Sequence, residues 1–290
     1  MPVTVPCGKC WSCRLSKSRD WAIRCVHESK MHKRNCFITL TYNDEHLPAD
    51  RSVHKEELQK FFKRLRKRLG HKIRYFACGE YGTKNLRPHY HAIIFGTDFD
   101  DKKLWQQTQN GDFLYRSDTL EKAWSRNGSS MGFCTIGDVT FQSAAYVARY
   151  CMKKFNNPQD PEKVIEHYTR QIIDKNTGEH KGETIVQPEF CLMSRGGSAV
   201  DPHRGGIGAS WLRKYKSDTD KDFITLQGLK LALPRYYDSM LEMEDAMDME
   251  QRKIKRKKAL EKHADDNTLA RLAVKEKVKQ AQTSTLKRNL

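Results

Sequence analysis

No stretch of this 290-residue chain approaches the roughly 18 consecutive apolar residues of a membrane span. The opening Met1-Pro2-Val3-Thr4-Val5-Pro6 also lacks the basic and apolar regions of a secretory signal. Both absences argue against a membrane or secreted protein, and we expect a soluble protein of a cytoplasm. Acidic residues are in deficit, 36 against 53 basic ones, for a formal charge of +17. That imbalance points to a polyanionic partner. The nine cysteines are an odd number scattered through a long basic chain, which does not fit a secreted disulfide scaffold. No further cysteine followed by proline comes soon after Cys13, so an iron–sulfur cluster is disfavoured.

What is present begins with Arg87-Pro88-His89-Tyr90-His91-Ala92-Ile93-Ile94-Phe95-Gly96, an apolar run that reads as a buried strand. Side chains alternate along a strand, so His89 and His91 share a face. The preceding Lys72–Gly79 run is also strand-like, with Glu80 at its end and a turn region over Tyr81–Pro88. An antiparallel hairpin would bring Glu80 beside both histidines. Two imidazoles and a carboxylate suit a divalent cation with open positions for water and substrate oxygens. The alternative is an ordinary glutamate at a hairpin mouth.

At the N-terminus, Cys7, Cys10 and Cys13 stand at two-residue gaps that suit a tetrahedral Zn²⁺, with Cys25, His27 or Cys36 as fourth ligand. Free thiols in a mobile arm are the competing reading. Cys10–Lys33 reads as a basic-faced helix and Phe37–Tyr42 as a strand. His54–Leu69 has apolar residues at helical spacing, Ser52 as its cap and Gly70 at its end. Thr97–Asn110 is polar, Asp118–Trp124 has capping-box spacing, and Gly132–Gly137 is a further strand. The pattern predicts an α+β fold, an antiparallel sheet with helices packed on one face.

Gln142–Phe155 reads as a helix whose buried stripe is Ala144, Val147, Ala148, Cys151 and Phe155, which projects Tyr146, Arg149, Tyr150 and Lys153 from the other side. Two phenols one turn apart, flanked by cations, suit phosphate attack or binding; packing under a later segment is the alternative. The Gly-rich runs Met193–Gly197 and Arg204–Gly208 can cradle phosphates or simply turn. Trp211 and Tyr215 suit either base stacking or the core. From Met247 onward the chain is charged and without aromatics, a solvent-exposed helix or disordered arm adding DNA affinity. We expect an N-terminal Cys-rich basic arm over 1–35, a catalytic core over 36–157, an accessory region over 158–246 and a basic tail over 247–290.

The histidine strand, the upstream carboxylate and the Tyr146–Lys154 helix resemble the HUH endonucleases of rolling-circle replication, in their two-tyrosine branch. Together with Cys7-Gly8-Lys9-Cys10, Phe37–Tyr42 and Leu233-Pro234-Arg235-Tyr236-Tyr237, they resemble the replication initiators of gokushovirus-type microviruses, small single-stranded DNA phages. The resemblance implies Mg²⁺ or Mn²⁺ on Glu80, His89 and His91, with Tyr146 and Tyr150 as paired nucleophiles and Lys153 near the scissile phosphate. Arg87, Arg149 and Lys154 would contact DNA. The spacing of Tyr150 to Lys153 favours Tyr150 for the first cut. The implied function is nicking of single-stranded viral origin DNA through a 5′-phosphotyrosine, then rejoining. It would act in the host cytoplasm with the host helicase and polymerase. The rival is a noncatalytic single-stranded nucleic-acid-binding protein that uses the same sheet and basic helices.

Overall fold

The computed structural model describes residues 7–8, 10–82, 85–150, 161–173, 177–196 and 205–284. In chain order it begins with α1 (Trp11–Ser29), β1 (Asn35–Thr41), α2 (Lys55–Leu69), β2 (Arg74–Tyr81) and β3 (Pro88–Phe95). Then come β4 (Lys103–Gln107), β5 (Phe113–Arg116), α3 (Asp118–Ala123), the two-residue β6 (Ser125–Arg126) and β7 (Ser129–Ser130), β8 (Cys134–Gly137) and α4 (Phe141–Tyr150). The remainder is α5 (Pro161–Tyr168), β9 (Thr169–Ile173), β10 (His180–Ile185), β11 (Phe190–Met193), α6 (Ala209–Lys214), β12 (Phe223–Leu226), β13 (Leu229–Ala232), α7 (Arg235–Glu244), α8 (Ala246–Glu261) and α9 (Leu269–Ser284).

Seven strands form one sheet in the order β11-β2-β3-β1-β8-β5-β4, with antiparallel neighbours throughout. The α+β class and the large antiparallel sheet are as the sequence predicts. The helices, however, cover both faces rather than one. On the first face Leu58, Phe61, Phe62 and Leu65 of α2 and Leu120 and Ala123 of α3 pack on Ile38, Leu40, Tyr90, Ala92 and Ile94. On the second, Ala22 and Cys25 of α1 and Ala144, Val147 and Ala148 of α4 pack on Phe37, Phe76, Ile93 and Phe95. The reason lies in the central strands: β2 and β3 are apolar on both sides over their inner halves, and a strand buried on both sides reads as a continuous apolar run.

Local signals fare unevenly. Gly70 closes α2 in the left-handed region at φ 71, where glycine is free of steric cost. Ser52 does not cap α2; His54 precedes the helix, and the Ser52 hydroxyl accepts from Gln187 N at 3.0 Å. For α3 the cap is Ser117, accepting from Leu120 N, while Glu121 pairs with Arg116. The polar stretch after the histidine strand contains the β4–β5 hairpin. Its outer strand is exposed at every residue, so it carries no burial alternation to read.

A third cluster joins Ile23 of α1 to Trp211, Leu212, Ile224, Tyr237, Leu241 and Met249. Trp211 is thus core, stacked on His27 with centroids 3.4 Å apart. The charged C-terminal stretch is helical and anchored: Met249 and Arg252 of α8 are buried, and Arg256 spans Asp222 and Asp238. Among the described residues no helix is long and apolar enough to cross a membrane.

Candidate active site

The hairpin of β2 and β3 has Glu80 directly opposite His89, and Cys78 opposite His91. Alternation turns Glu80, His89 and His91 to the second face, beyond the end of the apolar patch under α4. Glu80 Oε1 lies 2.7 Å from His89 Nε2 and 3.0 Å from His91 Nε2. The three ligand atoms lie within 4.8 Å of one another. Each ring is held from behind. His89 Nδ1 donates to the Arg87 carbonyl at 3.1 Å, and His91 Nδ1 is 2.9 Å from Thr39 Oγ1 on β1. Partners on the second nitrogen fix ring orientation in histidine metal sites. Burial alone would raise the Glu80 pKa, but the hydrogen bonds from His89 and His91 outweigh it and hold it down at about 2. This donor set, two imidazole nitrogens and an ionised carboxylate with outer partners in place, fits a divalent cation.

The helix α4 starts at a reciprocal cap in which Thr140 Oγ1 accepts from Ser143 N and Ser143 Oγ accepts from Thr140 N. It packs against both α1 and the sheet, and both contacts use its small residues. Helical periodicity alone projects Tyr146 away from the buried stripe. Instead it is half-buried, its ring edge-on to His91 with centroids 5.2 Å apart and to Phe37 at 6.4 Å. A helix enclosed from two directions has no fully free side, which a single-stripe reading cannot anticipate. Arg149 Cζ lies 5.9 Å from the centre of the Tyr146 ring. Beside this pair a cleft of ≈ 620 Å³ runs between α4 and the β5–β8 edge, lined by Phe37, Leu114, Gln142, Tyr146 and Arg149 among others. The Tyr150 side chain, Lys153 and Lys154 lie outside the described residues, as do Cys151 and Phe155 of the expected stripe. Arg87 is paired with Asp44 and donates to the Tyr42 carbonyl at 2.9 Å.

Cys7, Cys10 and Cys13 converge at the start of α1, their sulfurs mutually within 4.8 Å, with Cys7 and Cys13 3.9 Å apart. The Cys13 backbone amide acts to lower the Cys10 pKa, but burial and the two neighbouring thiols push it up to about 11. A bound cation relieves such crowding of sulfurs. None of the three fourth-ligand candidates takes part. Cys25 lies roughly 22 Å along the helix from Cys10. His27 lies beyond it, 3.0 Å from the Tyr237 hydroxyl, and burial together with Lys30 holds its pKa down at about 3. Cys36 is in the core under α2. The nearby carboxylate is one that sequence reasoning does not find: Glu276 of α9 accepts from Trp11 N at 3.0 Å.

In the described part of the second Gly-rich run, residues 205–208, two of the amides are taken up by packing partners. Gly206 N donates to Tyr236 Oη at 2.8 Å and Gly208 N to Glu28 Oε2 at 2.7 Å, while a Cβ on Gly208 would stand 2.4 Å from Tyr237 Oη. The half-buried Thr39 and the fully buried Glu28 are polar partners that sequence reasoning misses. Thr39 has a signal, since a threonine facing outward in an otherwise apolar strand stands across from His91.

The cation-donor cluster and the tyrosine-bearing helix against it both lie within the segment of the chain that known replication-associated proteins share. The family model of the replication-associated proteins ORF2/G2P matches residues 35–155, and this chain belongs to that family. It is 34% identical over 255 residues to the replication-associated protein ORF2 of Spiroplasma virus 4, covering 83% of this chain and 68% of that protein. It is 33% identical over 242 residues to the replication-associated protein VP4 of Bdellovibrio phage phiMH2K (80% and 65%). Identity is also 33% over 159 residues with the replication-associated protein ORF4 of Chlamydia phage 1 (52% and 38%). The chain therefore spans about two thirds of the length of the first two relatives. No solved structure matches it.

Proposed function

We propose that this protein initiates replication of a single-stranded phage genome by nicking and rejoining origin DNA through a tyrosine. The observation that carries the reading is the placement of the Tyr146 ring against His91, one of three convergent cation donors. Glu80, His89 and His91 would hold Mg²⁺ or Mn²⁺, which when bound offsets charge on the scissile phosphate and steadies the leaving 3′ oxygen. Arg87 and Thr39 keep the two rings turned toward Glu80. Tyr146 supplies the phenol oxygen, and Arg149, whose Cζ lies 5.9 Å from the ring centre, places positive charge beside the attacking group.

The Lys153 spacing favours Tyr150 for the first cut, but the Tyr150 side chain lies outside the described residues, so we assign the first cut to Tyr146 on its contact with His91. In that step the Tyr146 oxygen bonds to phosphorus and the phosphorus–3′ oxygen bond breaks. The phenol proton passes to solvent, and the 3′ oxygen takes one from it. The products are a 5′-phosphotyrosine and a 3′ hydroxyl that a polymerase of the host can extend. Attack of a 3′ hydroxyl on the phosphotyrosine reverses the step and rejoins ends, with Tyr150 as second nucleophile. At the N-terminus Cys7, Cys10 and Cys13 would hold a structural Zn²⁺. Incubation with single-stranded origin DNA and Mn²⁺, followed by denaturing electrophoresis, tests the reading. A covalent protein–DNA adduct that His91→Ala and Tyr146→Phe both suppress is expected. DNA binding without adduct would leave a noncatalytic binding protein.

A further inference from the structure

Among the described residues, α1 and α4 cover only one end of the second face of the sheet. The uncovered end continues the histidine rows across the strands. Thr39 stands between His91 on one side and Thr135 on the other, and Thr41 stands opposite His89. Tyr115 is opposite Ile136, so Arg116 and Thr135, one residue along each strand, are neighbours on the second face; Lys103 is opposite Arg116. A polar row thus runs from His91 through Thr39 and Thr135 to Arg116 and Lys103, about 14 Å from the first to Arg116 at the usual strand spacing.

Beside this row stands Phe133. It is 61% exposed although its neighbours Met131 and Cys134 are fully buried. Cys134 faces α2, so alternation turns Phe133 to the second face with Thr135 and Arg116. Its backbone is fixed: its carbonyl accepts from both the amide (2.9 Å) and the hydroxyl (3.0 Å) of Thr41. Asn43 N donates to Met131 O at 2.8 Å on the other side of Gly132. The approach is so close that a Cβ on Gly132, at φ 152, would lie 2.3 Å from the Thr41 carbonyl oxygen. The Arg116 guanidinium lies 5.4 Å from the Phe133 ring centre and is held there by Glu121, on which Nε donates at 2.8 Å. A rigidly mounted, solvent-facing aromatic ring beside an ordered guanidinium is not what core packing produces. It is what a base needs to stack on.

We propose that Phe133, with Arg116 beside it, is a stacking platform for a base of the single-stranded DNA, flanking the nucleotide to be cut. Phe133 is hydrogen-bonded to Thr41, the residue opposite His89, so the platform lies about 10 Å from the cation donors. A short run of nucleotides covers that distance, and the chain's +17 charge draws such a strand to the face. The position next to the cleavage centre rests on the nicking reading; the stacking does not.

Binding is measured with the full chain in EDTA, where no cut occurs, using a fluorescein-labelled origin-derived single strand and a duplex of the same sequence. Phe133→Ala is expected to lose roughly tenfold or more in single-strand affinity, with duplex binding unchanged and Phe133→Tyr near wild type. In Phe133→Trp the new indole emission should be quenched when the single strand is added. Wild-type affinity in Phe133→Ala, or emission blind to DNA in Phe133→Trp, overturns the proposal. So does a change confined to sedimentation, which would make this face a contact between copies. An absent adduct in wild type would defeat the nicking reading while leaving these affinity results to stand for the platform by themselves.

Discussion

Glu28 is fully buried at the far end of α1, and its carboxylate serves three partners. Arg74 Nε lies 3.0 Å away, His32 Nε2 3.2 Å, and the Gly208 amide donates at 2.7 Å. Arg74 in turn donates to the Gly205 carbonyl at 3.0 Å, so a single carboxylate ties α1, β2 and the glycine turn together. In Glu28→Gln the shape is kept but the charge is lost, leaving the Arg74 guanidinium nearly buried without its counter-ion. Breaking one partner of a buried pair costs about 3–5 kcal/mol, and the remaining amide oxygen returns a part of that, so we expect roughly 3 kcal/mol. With a urea slope of about 2–3 kcal/mol/M the unfolding midpoint should fall by roughly 1–1.5 M. The dependence on pH has a definite sign. Burial would raise the Glu28 pKa, but His32, Arg74 and the Gly208 amide together hold it below the ordinary 4.5. A depressed folded pKa stabilises above the unfolded value, so the wild-type advantage over Glu28→Gln is complete above pH 4.5 and fades below it. Replacing both partners, Glu28→Gln with Arg74→Met, should recover much of the loss. Urea curves of Glu28→Gln that overlay wild type at pH 7, or a double variant no better than the single, would refute the reasoning.

Four further outcomes follow from the same geometry. Glu80→Gln should weaken Mn²⁺ binding by roughly tenfold or more, because the only charged donor of the cluster is lost; superimposable calorimetric titrations would remove Glu80 from the site. Tyr146→Phe should abolish adduct on a simple single-stranded origin while leaving DNA affinity in EDTA intact, and persistence of adduct there would shift the first cut to Tyr150. Purified protein should carry about one Zn²⁺ on its cysteines, and Cys10→Ser should lower it with the nicking rate preserved; metal analysis finding none in wild type would sink that site. Gly132→Ala should cost roughly 3 kcal/mol, since the new methyl collides with the Thr41 carbonyl and the positive φ is strained; an unchanged melting temperature would contradict the close approach.

Local chemistry written along one stretch is legible in the residues themselves. Pro88, the alternation through His91 and the turn at Gly82 set the β2–β3 hairpin, and that hairpin alone places Glu80 beside both histidines. The two-residue gaps of Cys7, Cys10 and Cys13 likewise close on one point through a single helical start. The left-handed stop at Gly70 needs only the absence of a Cβ. Long-range facts are not written that way. The Tyr146 ring reaches His91 because α4 packs on both α1 and the sheet, and a helical wheel knows only one partner. The β4 strand is exposed throughout and owes its existence to pairing with β5, so no pattern of its own announces it. Glu28 is charged, yet buried, because Arg74, His32 and the Gly208 amide meet it from positions distant in sequence. Phe133 looks like one more strand aromatic until the sheet order leaves its face without a covering helix among the described residues. Periodicity and spacing act between neighbours in the chain, whereas burial, charge pairing and exposure are sums over whatever the fold brings near.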